Sequence, residues 1–210
     1  MNKKKLLLLA IVSALTVVAL RKPIIEAKIN ARVVKSISHG KQISTSLKLY
    51  AEDHGGAYPR GKTSSNEALR PLFPEYIDRE RMFYLRDNFF CRPDPPDEVF
   101  GKNEGENGST TLEAGECHFA YVSGLSNSDP STHPVLADGF TAEANAYDSN
   151  HVWWTIDKVV VHYLDGSAVL EVLQKEVERG EVKGKGENSN QNLFSKELLG
   201  PGVVLNPLKP

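Results

Sequence analysis

The sequence predicts an α+β fold in which one long N-terminal helix packs on a small antiparallel β-sheet. Three observations carry this. An apolar run, Leu6 to Leu20, follows Lys3 to Lys5, and a helical pattern resumes from Pro23 to about His54. Segments rich in valine, leucine and aromatics gather late in the chain, at Val152 to Thr155, Val159 to Leu164 and Ala168 to Leu173. Asp165 and Gly166 lie between the last two at hairpin spacing, where glycine supplies the positive φ of a tight turn.

The apolar run covers roughly 22 Å as a helix, against a hydrocarbon core of about 30 Å. Arg21, Lys22, Lys4 and Lys5 are placed to snorkel toward headgroups. Three readings stay open: an uncleaved anchor, a secretory signal cut after the small residues Val17 and Ala19, or a buried helix. Under either of the first two, residues 24–210 lie outside the cytoplasm, because the basic cluster stays inside. Ile25, Ile29, Val33 and Ile37 then recur every fourth residue, and Ile43, Leu47 and Tyr50 continue the stripe after a phase shift near Ser38 to Gly40. This amphipathic part is the expected cover of the sheet. Gly55 and Gly56 close the helix and Pro59 prevents its continuation.

Composition narrows the function classes. Twenty-five basic and 27 acidic residues, for a formal net charge of -2, argue against a nucleic-acid surface. The chain has two cysteines, Cys91 and Cys117. In an exported protein they read as a disulfide worth roughly 3 kcal/mol; otherwise they are two buried thiols. The stretch from Asp87 through Gly108 is proline-rich and then acidic and glycine-rich, which predicts an ordered loop followed by a flexible one. It includes the glycosylation pattern Asn107-Gly108-Ser109. Cys117 to Ser123 and Pro134 to Ala137 are further strand candidates. The domain plan is residues 1–23 as anchor or signal, 24–175 as the helix-plus-sheet domain, and 176–210 as a polar linker and C-terminal docking segment.

Several segments together carry a resemblance. ARVVKSISHGKQISTSLKLYAEDHGGAYP at 31–59, FFCRPDP at 89–95, FAYVSGL at 119–125, HPVLADG at 133–139 and VVVHYLDGSAVLEV at 159–172 resemble pilin-like and type II secretion pseudopilin-like proteins of the planctomycete and verrucomicrobia type. The resemblance implies a pilin-like fold and a non-catalytic, membrane-anchored structural or assembly component of a secretion or pilus-type system. Its partners would be the inner membrane and other pilin-like or secretion-system subunits. It would be a bacterial single-pass protein with its C-terminal domain in the periplasm, or an exported soluble form if cleaved. The run Lys5 to Ala10 lacks the glycine, phenylalanine and glutamate of processed members.

No catalytic residue is expected. His118, His133, Asp138, Asp148, His151, Asp157, His162 and Asp165 are numerous enough for a metal-dependent hydrolase, but no HExxH and no GxSxG frame occurs. No cofactor is expected except calcium, whose weak candidate ligands are Asp129, Asp138, Asp148 and Asp157. Trp153 and Trp154 are interaction candidates, since neighbouring strand residues face opposite ways and only one fits a core. An exported solute- or saccharide-binding domain is the alternative function, which an exposed tryptophan in a concave site would favour.

Overall fold

A 51-residue helix, α1 (Lys3–Asp53), opens the chain. The structure, a computed structural model, describes residues 3–96 and 111–210, with side chains from Arg21 onward. The expected flexible loop and the Asn107-Gly108-Ser109 pattern lie outside the described residues, as do the side chains of Leu6 to Leu20. The chain divides into two compact units, Met1–Lys35 and Ser36–Pro210. In the first, Ile24, Ile25 and Val34 are exposed to solvent. The second carries all the strands among the described residues.

The membrane part of the predicted helix is corrected. Among the described residues no helix is long and apolar enough to cross a membrane. From Arg21 onward the helix repeatedly carries charge, at Lys22, Glu26, Lys28, Arg32 and Lys35, and Leu6 to Leu20 alone falls short of the about 20 residues a span needs. The pseudopilin-like identification, carried by the segments at 31–59, 89–95, 119–125, 133–139 and 159–172, requires that anchor and falls without it, as do the inner-membrane and secretion-system partners and the single-pass topology with a periplasmic domain. A helix with a small antiparallel sheet is what the fold retains.

The helix ends where glycine permits it. Gly55 (φ 65°) and Gly56 (φ 88°) take left-handed conformations, and the Gly56 N–H donates to the Ala51 carbonyl at 2.7 Å. A short helix, α2 (Ser65–Leu69), follows, its N-terminus capped by the Ser64 hydroxyl. Asn66 then ties distant chain together. It donates to the carbonyls of Leu112 and Glu113 and accepts from the Leu208 N–H.

Five strands form the main sheet: β1 (Phe119–Ser123), β2 (Pro134–Asp138), β3 (Lys158–Tyr163), β4 (Ala168–Val172) and, after the hairpin of β5 (Gln174–Glu176) and β6 (Arg179–Glu181), the C-terminal β7 (Val203–Leu205). Their order is β4-β3-β2-β1-β7, antiparallel throughout. The β3–β4 turn falls at Asp165-Gly166, with Gly166 at φ 90°. Val152 to Thr155 is not a strand. Residues Trp154–Ile156 form a 3-10 turn instead, because Trp153 is drawn inward to Asp138 and Asp157 reverses the chain at φ 53°.

Register assigns the faces. Residues directly opposite share a face, so the pairs Phe119–Asp138, Tyr121–Leu136 and Leu136–His162 put these side chains on one side. Helix α1 covers that side from Ser36 to Ala51, with Ile43, Leu47 and Ala51 fully buried in the shared core. The alternate side carries Val122, Val161 and Val169, and a C-terminal segment containing Val182, Phe194, Leu199 and Gly202 folds against it. A short helix, α3 (Lys196–Leu199), lies within that segment.

Gly40 sets how closely α1 approaches the sheet. A Cβ there would lie 2.1 Å from His162 Nε2 and 2.4 Å from Cε1. Alanine is the better helix former by about 1 kcal/mol, yet Gly40→Ala is expected to destabilise the domain by about 1–3 kcal/mol through overpacking. Urea unfolding checks this, and combining Gly40→Ala with His162→Ala should recover part of the loss. A neutral or stabilising Gly40→Ala would show that the contact is soft.

The predicted disulfide is also corrected. Cys91 and Cys117 are buried thiols, and among the described residues no disulfide is present. Cys117 Sγ lies in the core, 3.9 Å from Ser65 Oγ and 3.5 Å from the Phe119 carbonyl. Burial pushes its thiol up to about 12, so it is an unreactive core group near neutral pH.

Candidate functional site

Two features of residues 36–210 carry concentrated chemistry: a buried polar centre between α1 and the sheet, and an open cleft on the opposite face. The polar centre is built around Asp138, the last residue of β2. Its Oδ2 accepts from the Trp153 indole N–H at 2.8 Å and the Val160 N–H at 2.9 Å, and its Oδ1 accepts from the Ser36 hydroxyl at 3.2 Å. His118 Nε2 and His151 Nε2 stand 3.9 and 3.8 Å from the two oxygens, too far for hydrogen bonds. Burial works against the carboxylate's charge, but His151, His118 and the Val160 amide outweigh it and hold its pKa below the usual value.

Ser36, His118 and Asp138 contain the residue types of a hydrolytic triad in the wrong order. His118 Nδ1 meets the Phe83 carbonyl at 2.7 Å. A carbonyl only accepts, so Nδ1 carries the hydrogen and Nε2, 3.3 Å from Ser36 Oγ, is the acceptor in the neutral ring. In a triad the carboxylate orients the histidine, whereas here it binds the serine. All three residues are completely buried. Burial also holds His118 at about 4, opposed by Asp138 and the Phe83 carbonyl and helped by His39 and His162. His162 is likewise brought to about 4 by burial, against the pull of Asp138 and with a smaller effect of Lys41. Neither of its ring nitrogens has a hydrogen-bond partner among the described residues.

The other predicted positions are scattered. Asp129 accepts from the Ser126 amide and hydroxyl at 2.6 and 2.9 Å, and Asp148 from the Asn150 amide at 2.9 Å. Asp157 pairs with Lys175. Each stabilises its own turn. Among the described residues no group of three or more histidine, cysteine, aspartate or glutamate side chains is arranged to hold a metal ion. Trp153 is fully buried against Asp138, and Trp154 is half-buried with the Lys175 ammonium 3.8 Å from its ring centroid. Neither indole stands open in a concave site.

The cleft has a volume of about 380 Å³ and opens between the β2–β4 edge and the 185–198 segment. Pro134, Tyr163, Val169, Leu193 and Leu198 give it apolar walls. Thr132, His133, Ser167, Lys185 and Asn188 add polar groups, the Nδ1 of His133 being buried without a hydrogen-bond partner among the described residues. Tyr163 lies at the end of β3, its hydroxyl donating to Glu171 Oε1 at 2.6 Å. Burial first, and then Glu171, raise its pKa, so the phenol is a neutral donor at physiological pH. A wider trough of about 630 Å³ beside the cleft is lined mainly by charged and amide groups. Its lysines are already paired, Lys175 with Asp157, Lys183 with Glu181 and Lys185, which it shares with the cleft, with Glu171.

Sequence reasoning missed Ser36 and Gly40 as partners of the polar centre, and Tyr163 with Lys185 as parts of the cleft. Their only advance signals were a serine and a glycine interrupting the helical stripe and an apolar Leu193-Phe194 pair inside a polar tail. Compared with known proteins, the chain matches no family, no curated protein and no solved structure.

Proposed function

We propose that residues 36–210 form a non-catalytic binding domain that takes a small, mostly apolar organic molecule in the cleft beside Tyr163. The observation that carries this reading is the cleft itself. Its about 380 Å³ falls within the range of about 300–1,000 Å³ typical of small-molecule sites, and apolar walls with a few polar groups are the usual lining. The polar centre supports the non-catalytic part, because Asp138, His118 and His162 present no surface to a substrate. A saccharide is the poorer fit, since Trp153 is buried and Lys175 already lies over Trp154.

The test is a panel of small apolar and aromatic compounds added to the full chain, followed by amide chemical shifts. Compounds that bind are expected to move Tyr163, Val169 and Leu193 together. Leu198→Trp, which places a large ring in the cleft, should weaken them at least about tenfold while leaving urea stability within about 1 kcal/mol. A panel that moves none of these amides, or binding indifferent to Leu198→Trp, would remove the reading.

A further inference from the structure

We propose that the cleft's ligand is an apolar-bodied monoanion, a carboxylate on a hydrocarbon or aromatic body, whose charge is met by Lys185. This rests on the cleft being the binding site. The lining contains one charged side chain, a cation, and no aspartate or glutamate. The other polar groups are Thr132, His133, Ser167 and Asn188, each able to donate a hydrogen bond.

Lys185 stands where such a ligand would place its head. Its Nζ lies 5.6 Å from the Tyr163 ring centroid, and its side chain is 71% exposed, so the ammonium stands at the solvent side of the cleft. The ammonium contacts Glu171 Oε1 at 2.8 Å. An ammonium has three donors, so it can hold a second carboxylate without releasing the first. Glu171 is also not stranded if Lys185 turns away, because the Tyr163 hydroxyl continues to donate to it. A cationic ligand would face Lys185, and the carboxylate beside it, Glu171, is already engaged by Lys185 and Tyr163. A dianion would bring a second charge with no second lysine or arginine in the lining.

Octanoate, octanol and octylamine share one apolar body and differ in head charge, which separates this inference from the cleft reading. They are titrated into the full chain at neutral pH, below their aggregation concentrations, with calorimetry and amide shifts as readouts. Octanoate is expected to bind about tenfold more tightly than octanol, the difference of one charge-assisted hydrogen bond, with octylamine weakest. Lys185→Gln should bring octanoate down to octanol, and Lys185→Glu should make octylamine the best of the three. Equal binding of all three at the cleft amides would overturn the anion assignment and leave the cleft standing. A preference of the unaltered chain for octylamine would do the same. Octanoate binding that moves only amides away from Tyr163, Val169 and Leu193, or no binding by any of the three, would overturn both.

Discussion

Asp138→Ala lowers the unfolding free energy by about 3–5 kcal/mol, the cost of removing one partner from a buried charged network. The carboxylate is the common acceptor for the Trp153 indole, the Val160 amide and the Ser36 hydroxyl, and alanine leaves the first two as buried donors with nothing to receive them. Asp138→Asn behaves differently. Its amide oxygen can keep the Oδ2 position for Trp153 and Val160, while its NH₂ donates to Ser36 Oγ, freeing the serine hydroxyl to donate to His118 Nε2. Trp153, Val160, Ser36 and His118 then all keep a partner, and the main loss is the charge assistance, a cost of roughly 1–2 kcal/mol. Urea unfolding followed by tryptophan fluorescence measures both, since Trp153 reports directly on this contact. An alanine variant within 1 kcal/mol of the unaltered chain, or an asparagine variant as damaged as alanine, would show that the carboxylate is not the keystone of this region.

How far this centre could be read in the sequence depends on the separation of its parts. The β3–β4 hairpin was legible because Asp165-Gly166 is a local signal, and with it the placement of His162 among strand residues. The helix end was legible for the same reason, through Gly55 and Gly56. The contacts of Ser36 with His118 and Asp138 span 82 and 102 residues, and no spacing rule reaches that far. Val152 to Thr155 misled because its composition suits a strand, while the deciding force, an indole seeking a buried carboxylate, lies in Asp138. The anchor and the disulfide failed together, since the disulfide reading drew on the exported setting that the anchor implied. The cleft was hidden for another reason. One wall comes from β2 to β4 and the other from a glycine- and lysine-rich tail whose path is set only by where Leu193, Phe194 and Leu199 find apolar cover.

Acid should open the domain well before its carboxylates alone would require it. His118 and His162 have pKa values brought from 6.5 to about 4. Each folded value lies below the unfolded one, so the unfolded chain binds more protons between them and stability rises with pH. The contribution of each neutral ring is fully present above about 6.5 and is lost as pH falls through about 4. At 1.36 kcal/mol per unit the loss amounts to roughly 3 kcal/mol for each histidine, comparable in sum to the lower part of the usual range of domain stability, about 5–15 kcal/mol. Asp138 adds the same sign at lower pH, because its folded pKa is below 3.8 and its stabilising charge is lost as it protonates. The groups around the two rings are Asp138 on β2, Ser36, His39 and Lys41 on α1, the Phe83 carbonyl and the rings themselves; Asp138 favours protonation of both rings and the Phe83 carbonyl that of His118, and burial outweighs them. His162→Leu isolates one ring. Since neither nitrogen of His162 is hydrogen-bonded among the described residues, leucine removes its titration at little cost near pH 7.5. Urea unfolding between pH 7.5 and 4.5 should therefore show a steep loss in the unaltered chain and roughly half that loss in His162→Leu. A flat profile over that window, or one that His162→Leu leaves unchanged, would mean that the buried histidines take up protons as readily as those of the unfolded chain.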